Sequence, residues 1–384
     1  MTAPREGRTV PYHVPWLDER ELEAVRAALG GRVAGDGPIG RRVEQRLADS
    51  LQAHRVLLTT SCTHAMELAL LALGIGPGQE VVCPSFTFVS TANAVLRVGA
   101  RPVFADIEDE TLGLDAEDVA RRITSRTAVI MPVHYASVAP DMDRLLELAR
   151  DRDLRVVEDA AQALGSRWRG RALGTLGDAG CFSFHESKNV TCGEGGALAL
   201  VDPDLARRAE IIREKGTNRA AFLRGEVDKY TWVAEGSSYV LSDVLAAILE
   251  AQLDKAPEID ARRAAVVARY RSGLADWADR VGVRLPPELP DRQTNHHIFH
   301  LLYPDGASRD AALAALRERG VMASFHYIPL HSAPQGQAIG AGEASLPVTD
   351  RVAATLLRLP LHARLSDTDV DYVIEAVRET GGRR

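Results

Sequence analysis

The chain has 384 residues, which is too long for one compact core and predicts a large and a smaller domain. Hydrophobic residues make up 46% of it, charged residues make up 26%, and the formal net charge is −7. An acidic chain is a poor electrostatic match for nucleic acid or for an anionic membrane, so we expect neither as a partner.

The predicted elements begin with a helix at residues 18–29, followed by a Gly-rich loop at 35–38. Short runs rich in Val and Ile then alternate with helical patterns, and the helices are predicted at 63–73, 141–152 and 203–215. The runs give seven candidate strands: 56–60, 80–83, 101–106, 128–133, 154–158, 180–184 and 197–201. This alternation predicts a mostly parallel seven-stranded sheet flanked by helices.

The pattern changes at residues 243–267, where apolar positions recur along one face of a long helix that would connect two domains. Residues 295–380 follow as a shorter β/α arrangement, in which Ser308 and Ser366 are candidate helix caps. We therefore predict a large domain at residues 1–250 and a small C-terminal domain at 251–384.

Lys188 lies in a polar turn just after the sixth candidate strand, and a glycine cluster follows it at 193–196. Loops at the carboxyl ends of parallel strands are where α/β folds place their active sites. A partly desolvated lysine there can bond covalently to a carbonyl group and later move a proton. Considered alone, the motif is better explained as a solvated loop lysine.

Three further motifs follow strand ends. Asp159 ends the fifth strand, where it could pair with the ring nitrogen of pyridoxal 5'-phosphate (PLP) or cap a helix. Residues 59–64, TTSCTH, join a strand to a helix N-terminus, and they could hold a phosphate or simply cap the helix. Phe88 could stack on a flat ring or belong to the core. Together with Lys188, these motifs predict a PLP site.

A nicotinamide site is a weaker hypothesis. Residues 74–78 are Gly-rich, but they follow a helix and do not open one, as a dinucleotide-binding loop would.

On these motifs the chain resembles the PLP-dependent nucleotide-sugar aminotransferases of the DegT/DnrJ/EryC/StrS type. The segments are GDGP at 35–38, TSCT at 60–63, CPSFTF at 83–88, VEDAAQ at 157–162 and SFHESKN at 183–189. Residues 214–239 and 325–332 are most similar to the dTDP-4-keto-6-deoxyglucose 4-aminotransferases. The resemblance implies an α/β fold of the fold type I, aspartate-aminotransferase-like class. It also implies a homodimer with shared active sites.

The resemblance also implies roles for particular residues. Lys188 and Asp159 would be catalytic, and Lys188 would be the covalent attachment point and general acid/base. The implied cofactor contacts are Cys62, Thr63, Phe88, Asp159, Gln162, Ser183, Lys188 and Ser238. Ser238 stands where much of the family has an asparagine that reaches the neighbouring subunit's phosphate. The implied substrate contacts are Asp36, Arg219, Arg224, Lys229, Tyr230, His326 and Tyr327. The alternative for the loop at 217–236 is a solvated, mobile surface segment.

The implied reaction transfers an amino group from L-glutamate to dTDP-4-keto-6-deoxy-D-glucose and gives a dTDP-4-amino-4,6-dideoxyhexose. A related dehydratase is disfavoured because those enzymes carry histidine at the position of Lys188. A 3-keto-sugar aminotransferase and a non-catalytic PLP-binding regulator remain as alternatives.

The expected setting is the cytoplasm. Residues 1–9 lack the apolar core of a signal peptide, and no apolar run reaches the roughly 20 residues that span a bilayer. The four cysteines match no zinc signature, so we expect reduced thiols and no bound metal.

Overall fold

The computed structural model describes residues 8–342 and 344–380. The prediction that no signal peptide is present falls mainly on residues 1–7, which lie outside the described residues, as do the outer ends of both predicted domains. The strands are β1 (Arg55–Thr59), β2 (Glu80–Pro84), β3 (Arg101–Ala105), β4 (Thr127–Ile130), β5 (Arg155–Asp159), β6 (Arg167–Trp168), β7 (Arg171–Ala172), β8 (Ala179–Ser183), β9 (Gly196–Leu200), β10 (Arg292–Gln293), β11 (His300–Leu302) and β12 (Leu356–Arg358).

The helices are α1 (Glu19–Leu29), α2 (Pro38–Leu51), α3 (Cys62–Ala72), α4 (Val89–Arg97), α5 (Ala116–Arg122), α6 (Met142–Asp151), α7 (Pro203–Arg213), α8 (Arg219–Leu223), α9 (Asp243–Val281), α10 (Gly306–Glu318), α11 (Pro334–Ala338), α12 (Pro347–Thr355) and α13 (Asp367–Thr380). They cover both faces of the main sheet and surround the smaller C-terminal strands.

The main sheet has seven strands in the order β1-β9-β8-β5-β4-β2-β3. The neighbours from β8 to β3 are parallel, whereas β9 pairs antiparallel with both β8 and β1. Six strands therefore share one direction and only β9 runs against them. This arrangement confirms the predicted mostly parallel sheet, and it brings the carboxyl ends of β1, β2, β5 and β8 to the same edge.

Apolar side chains fill the space on both faces of this sheet. On one face Val43 and Leu47 of α2 and Leu145 of α6 are buried together. On the other face, residues of α3 such as Met66 and Leu70 pack with α4 and α7. Burial on both faces explains why the central strands are nearly continuous apolar runs.

The 39-residue helix α9 connects the main sheet to the C-terminal part of the chain. Its first turns pack against the main-sheet core through Leu249 and Leu253. Tyr270 and Trp277, further along, belong to a second core with α10, α13 and the two-stranded sheet of β11 and β12. The helix runs past the predicted end at residue 267. The predicted domain boundary at 250 falls inside it and stays a prediction.

Several local predictions can be compared with the backbone. Asp18 caps α1 and Ser61 caps α3, close to where the sequence pattern begins each helix. The Ser366 hydroxyl accepts a bond from the Asp369 N–H at 3.2 Å, as predicted. The cap of α10 is a correction, because Asp305 caps this helix and the predicted cap Ser308 lies within its first turn.

The structure gives three findings on membranes, metals and thiols. Among the described helices, none is both long and apolar enough to cross a membrane. Within the same residues, no group of three or more His, Cys, Asp or Glu side chains could hold a metal ion. All four cysteines are buried and free.

Candidate active site

A cavity of about 460 Å³ lies at the edge where the strands of the main sheet end. The N-terminal segment contributes Tyr12 and His13, and the C-terminal part contributes Arg358. The predicted site residues that line it are Cys62, Thr63, Phe88, Asp159, Gln162, Ser183, Lys188, His326 and Tyr327. The fold therefore brings together residues that are as much as 265 positions apart, from 62 to 327.

Lys188 is held in a turn, in which its backbone N–H donates to the His185 carbonyl at 2.9 Å. Its side chain lines the cavity, and within the described part of the chain its Nζ has no hydrogen-bond or salt-bridge partner. Burial lowers the pKa of this amine, and the charges of Cys62 and Asp159 oppose that shift. A lowered pKa increases the fraction of neutral amine, which is the form that attacks a carbonyl carbon.

Asp159 ends β5 and its carboxylate is fixed by two donors. The Thr91 hydroxyl donates to Oδ2 at 2.8 Å and the Ala161 N–H donates to Oδ1 at 3.1 Å. Thr91 is in turn bonded to Thr87 at 2.9 Å. The residue is only 5% exposed, so this carboxylate is a rigid acceptor aimed into the cavity.

The N-terminus of α3 forms another wall of the cavity. The Ser61 hydroxyl caps the helix by accepting from the His64 N–H at 3.1 Å, and the Thr63 hydroxyl donates to Ser90 at 2.9 Å. Gly196 packs directly behind this turn, where a Cβ would lie 2.5 Å from the Cys62 amide nitrogen and overlap the Ser61 carbonyl. The glycine thus allows β9 to support a helix N-terminus whose free N–H groups suit a phosphate.

The remaining predicted contacts lie nearby. Phe88 is 58% exposed at the cavity, and its ring centre is 6.5 Å from that of Tyr327. The Gln162 amide donates to the Tyr327 hydroxyl at 3.3 Å, and its carbonyl oxygen accepts from the Ala136 N–H at 2.7 Å. Ser183 accepts a long 3.4 Å bond from the His185 N–H. The exposed ring face of Phe88 is free for stacking.

His326 lines the cavity as a neutral imidazole. Burial, reinforced by the charges of Lys188 and His300, lowers its pKa to about 3. The Arg358 guanidinium lies 2.7 Å from the His326 Nε2. Since arginine can only donate, Nε2 is the acceptor.

These features fit PLP. A lysine amine whose pKa is lowered by burial matches its aldehyde, a fixed carboxylate matches its ring nitrogen, and a helix N-terminus matches its phosphate. The role of each residue stays a prediction.

Six predicted residues do not line the cavity of the single chain. The Asp36 carboxylate accepts from Arg213 at 3.0 Å and lies 3.9 Å from Arg219. Arg224 pairs with Glu210 at 3.0 Å. The other three, Lys229, Tyr230 and Ser238, are exposed. Within one chain the structure therefore does not bring these six to the site.

Sequence reasoning missed several residues of the site, of which His13 and Arg358 line the cavity and Thr91 bonds to Asp159. Thr91 follows Thr87 by one helical turn, so extending the strand-end motif into α4 could have found it. His13, whose Nε2 is 2.7 Å from the Glu186 carbonyl oxygen, comes from an N-terminal segment without a pattern. Arg358 is a lone charge in the apolar stretch of β12, and nothing in the sequence distinguishes it.

Comparisons with known proteins agree with this geometry. The DegT/DnrJ/EryC1/StrS aminotransferase family matches residues 15–378. The crystal structure of an aminotransferase, TlmJ from Streptoalloteichus hindustanus, is 37% identical, with 97% of this chain and 99% of that chain covered and a TM-score of 0.89. DesV of S. venezuelae is 35% identical, with 95% of each chain covered and a TM-score of 0.86.

A third similar structure was solved with the cofactor. It is the PLP form of Spr1654, a sugar aminotransferase by its description, from Streptococcus pneumoniae. The two chains are 28% identical, with 97% of this chain and 99% of that chain covered and a TM-score of 0.90.

Proposed function

The chain belongs to the DegT/DnrJ/EryC1/StrS aminotransferase family, and from this premise we propose that it aminates a dTDP-linked 4-keto sugar. It is a PLP-dependent sugar aminotransferase of the fold type I class. The family, fold class, enzyme class and cofactor predicted from the sequence are thereby confirmed. The proposed reaction uses L-glutamate to convert dTDP-4-keto-6-deoxy-D-glucose into a dTDP-4-amino-4,6-dideoxyhexose.

One observation carries the catalytic part of the proposal: the amine of Lys188, which has no partner among the described residues, shares a cavity with the fixed carboxylate of Asp159. A lysine that only stabilised the fold would be paired with a carboxylate, as Lys255 is with Glu21 at 2.7 Å. Lys188 instead has a lowered pKa and faces open space, as a catalytic amine requires.

Separate residues of the chain then have separate roles in the reaction. PLP, when bound, supplies the electron sink that lets a proton leave the carbon bearing the amine. Asp159 is the anion for the cofactor's ring nitrogen, and Thr91 keeps its Oδ2 in position. Lys188 would take the proton from the donor carbon that bears the amine and deliver it to the cofactor carbon on the other side of that nitrogen, because burial lowers its pKa and so raises the fraction of neutral amine that can accept a proton. The N-terminus of α3 binds phosphate.

The sugar proposal is supported by the segment at 325–332, which carries the closest resemblance to the 4-aminotransferases. His326 and Tyr327 of this segment line the cavity with Lys188. A neutral imidazole and a phenol suit the hydroxyl groups of a hexose, with which they can exchange hydrogen bonds. We propose both as sugar contacts.

A homodimer completes the proposed site. The loop at 217–236 exposes large apolar side chains, of which Trp232 is 76% and Tyr230 is 55% exposed. Exposed aromatic groups beside basic ones are typical of a surface that binds a partner or ligand. We propose that Ser238 contacts the partner's cofactor phosphate and that Asp36, Arg219, Arg224, Lys229 and Tyr230 act at the partner's substrate site.

Mixing two inactive variants tests the shared site. A dimer of Lys188→Ala with Tyr230→Ala carries one site with both native residues, so it should regain activity that neither parent has. If a mixture proven to contain the mixed dimer recovers no activity, the result would contradict an active site shared between subunits.

We also propose that the enzyme works in the cytoplasm in amino-sugar, including antibiotic, biosynthesis.

The substrate assay combines dTDP-4-keto-6-deoxyglucose, PLP and L-glutamate, and the product is identified by NMR. We expect an amine at C4 with wild-type protein and with the matched control Lys215→Gln, and none with Lys188→Ala. Amination of a 3-keto sugar in place of this substrate would refute the proposed substrate and support the 3-aminotransferase alternative.

A further inference from the structure

Arg358 is a cation on the cavity wall whose charge no carboxylate balances. It ends β12, and the cavity that it lines also contains Lys188 and Asp159. No Asp or Glu among residues 8–342 and 344–380 lies within salt-bridge distance of its guanidinium. Its contacts are the neutral His326 at 2.7 Å and the ring of Tyr12, whose centre is 4.7 Å from its Cζ.

A buried guanidinium without a nearby carboxylate lowers the stability of the fold, because its charge is removed from water without compensation. The Arg358 Nε is fully buried and has no hydrogen-bond partner in the part of the chain that the structure describes. Burial lowers the pKa of the group to about 9, so it still carries its charge at neutral pH. By contrast, Arg284 and Arg351, which lie away from the cavity, both pair with Asp109.

Tyr12 and His326 fix the guanidinium in place. The aromatic ring of Tyr12 lies against its cationic centre, and His326 accepts from one terminal nitrogen. Guanidinium donors that remain free point in a fixed plane, which matches the two oxygens of a carboxylate. The site is therefore built before its ligand arrives.

We propose that Arg358 binds the α-carboxylate of the amino donor. This inference rests on the proposed function, in which donor and keto sugar use the same cavity in turn. The donor carries its carboxylate on the carbon that reacts, so that carboxylate must lie in the interior beside Lys188. The keto sugar has no acidic group on its ring, and its diphosphate lies at the far side of the hexose from C4.

The assignment makes Arg358 specific for one half of the reaction. It should hold an α-amino acid with the reacting carbon near Lys188, and it should act on the sugar only through the hydrogen bond that it donates to His326. It should also select α-amino acids over amines that lack a neighbouring carboxylate, such as 4-aminobutyrate.

The test measures the two half-reactions separately in rapid mixing. Protein loaded with PLP is mixed with L-glutamate, and protein loaded with the amine form of the cofactor is mixed with dTDP-4-keto-6-deoxyglucose. For Arg358→Gln we expect the half-saturating glutamate concentration to rise about 10- to 100-fold. The sugar half-reaction should lose less than about 10-fold, because there the substitution removes only the hydrogen bond from Arg358 to His326. Arg358→Lys should give a half-saturating glutamate concentration between those of wild type and Arg358→Gln, because lysine keeps the charge but lacks the paired donors of the guanidinium. Arg284→Gln is the matched control and should behave as wild type.

A binding measurement supplies a readout that does not depend on turnover. Glutarate cannot react, and its dissociation constant for the PLP-loaded protein should rise by a similar factor in Arg358→Gln. The rate with 4-aminobutyrate, which keeps only the distal carboxylate, should change by less than about 3-fold.

Each contrary result has a distinct meaning. Equal losses in the two half-reactions, or unchanged glutamate saturation, would overturn the assignment. Equal losses with glutamate and 4-aminobutyrate would place Arg358 at the distal carboxylate and also overturn it. Wild-type protein that reacts with glutamate but not with this sugar would refute the proposed substrate, while the glutamate result would still decide the role of Arg358. Should Arg358→Gln fail to fold, wild-type glutamate saturation in Arg358→Lys would overturn the assignment.

Discussion

Replacing Gly196 with alanine should damage the cofactor site without touching a polar group. The new Cβ would lie 2.5 Å from the Cys62 amide nitrogen, whereas ordinary contacts are 3.4–4 Å. The turn that begins α3 must therefore move by about 1 Å, and hydrogen bonds from its N–H groups weaken steeply over such a change. We expect a loss of about 1–3 kcal/mol in the free energy of unfolding, as overpacking typically causes. We also expect PLP affinity to fall about 10-fold or more.

Two measurements on purified protein check this prediction. Urea unfolding of the cofactor-free protein gives the stability change, and titration with PLP, followed by absorbance, gives the affinity. Gly76→Ala is the control, because a Cβ there lies 3.7 Å from its nearest neighbour, the Val98 carbonyl oxygen. Wild-type PLP affinity in Gly196→Ala, or an equal loss in Gly76→Ala, would refute the reasoning about the turn.

Two further predictions follow from the hydrogen bonds and charges of the cavity. Thr91→Val removes the 2.8 Å bond to Asp159 and should slow the glutamate half-reaction about 10- to 100-fold, while Thr91→Ser restores most of the rate. Equal rates for the two variants would show that the hydroxyl does not act on the carboxylate. Lys188→Met should stabilise the cofactor-free protein at neutral pH, because the folded state lowers the pKa of this amine and the unfolded chain binds the proton more tightly. The gain in the free energy of unfolding over wild type should shrink as the pH rises toward the ordinary pKa of lysine. A gain measured by urea unfolding that does not change with pH would contradict this prediction.

The sequence predicted the main sheet because its strands are short apolar runs bounded by Gly, Pro or Asp. The central strands are buried on both faces, which makes this signal strong. The same pattern does not report strand direction, so it could not identify β9 as the strand that runs against the rest. It also missed α2, because Gly35 and Gly37 lead into it and the notable feature there was the loop.

The site was predictable where residues follow a strand directly. Lys188, Asp159 and the turn before α3 each lie within a few residues of a strand end, and all of them line one cavity. Arg358 was not predictable, because its significance depends on the absence of a nearby carboxylate, which is a property of the packed structure. The loop at 217–236 was recognised by resemblance alone, and a single chain does not bring it to the cavity.

The most direct test of the account is to load the protein with PLP, reduce it with borohydride and locate the modified residue by peptide mass spectrometry. We expect a phosphopyridoxyl group on Lys188, and addition of L-glutamate before the reduction should prevent this modification. Modification of Lys215 or Lys229 with Lys188 left free would contradict the central claim that Lys188 holds the cofactor.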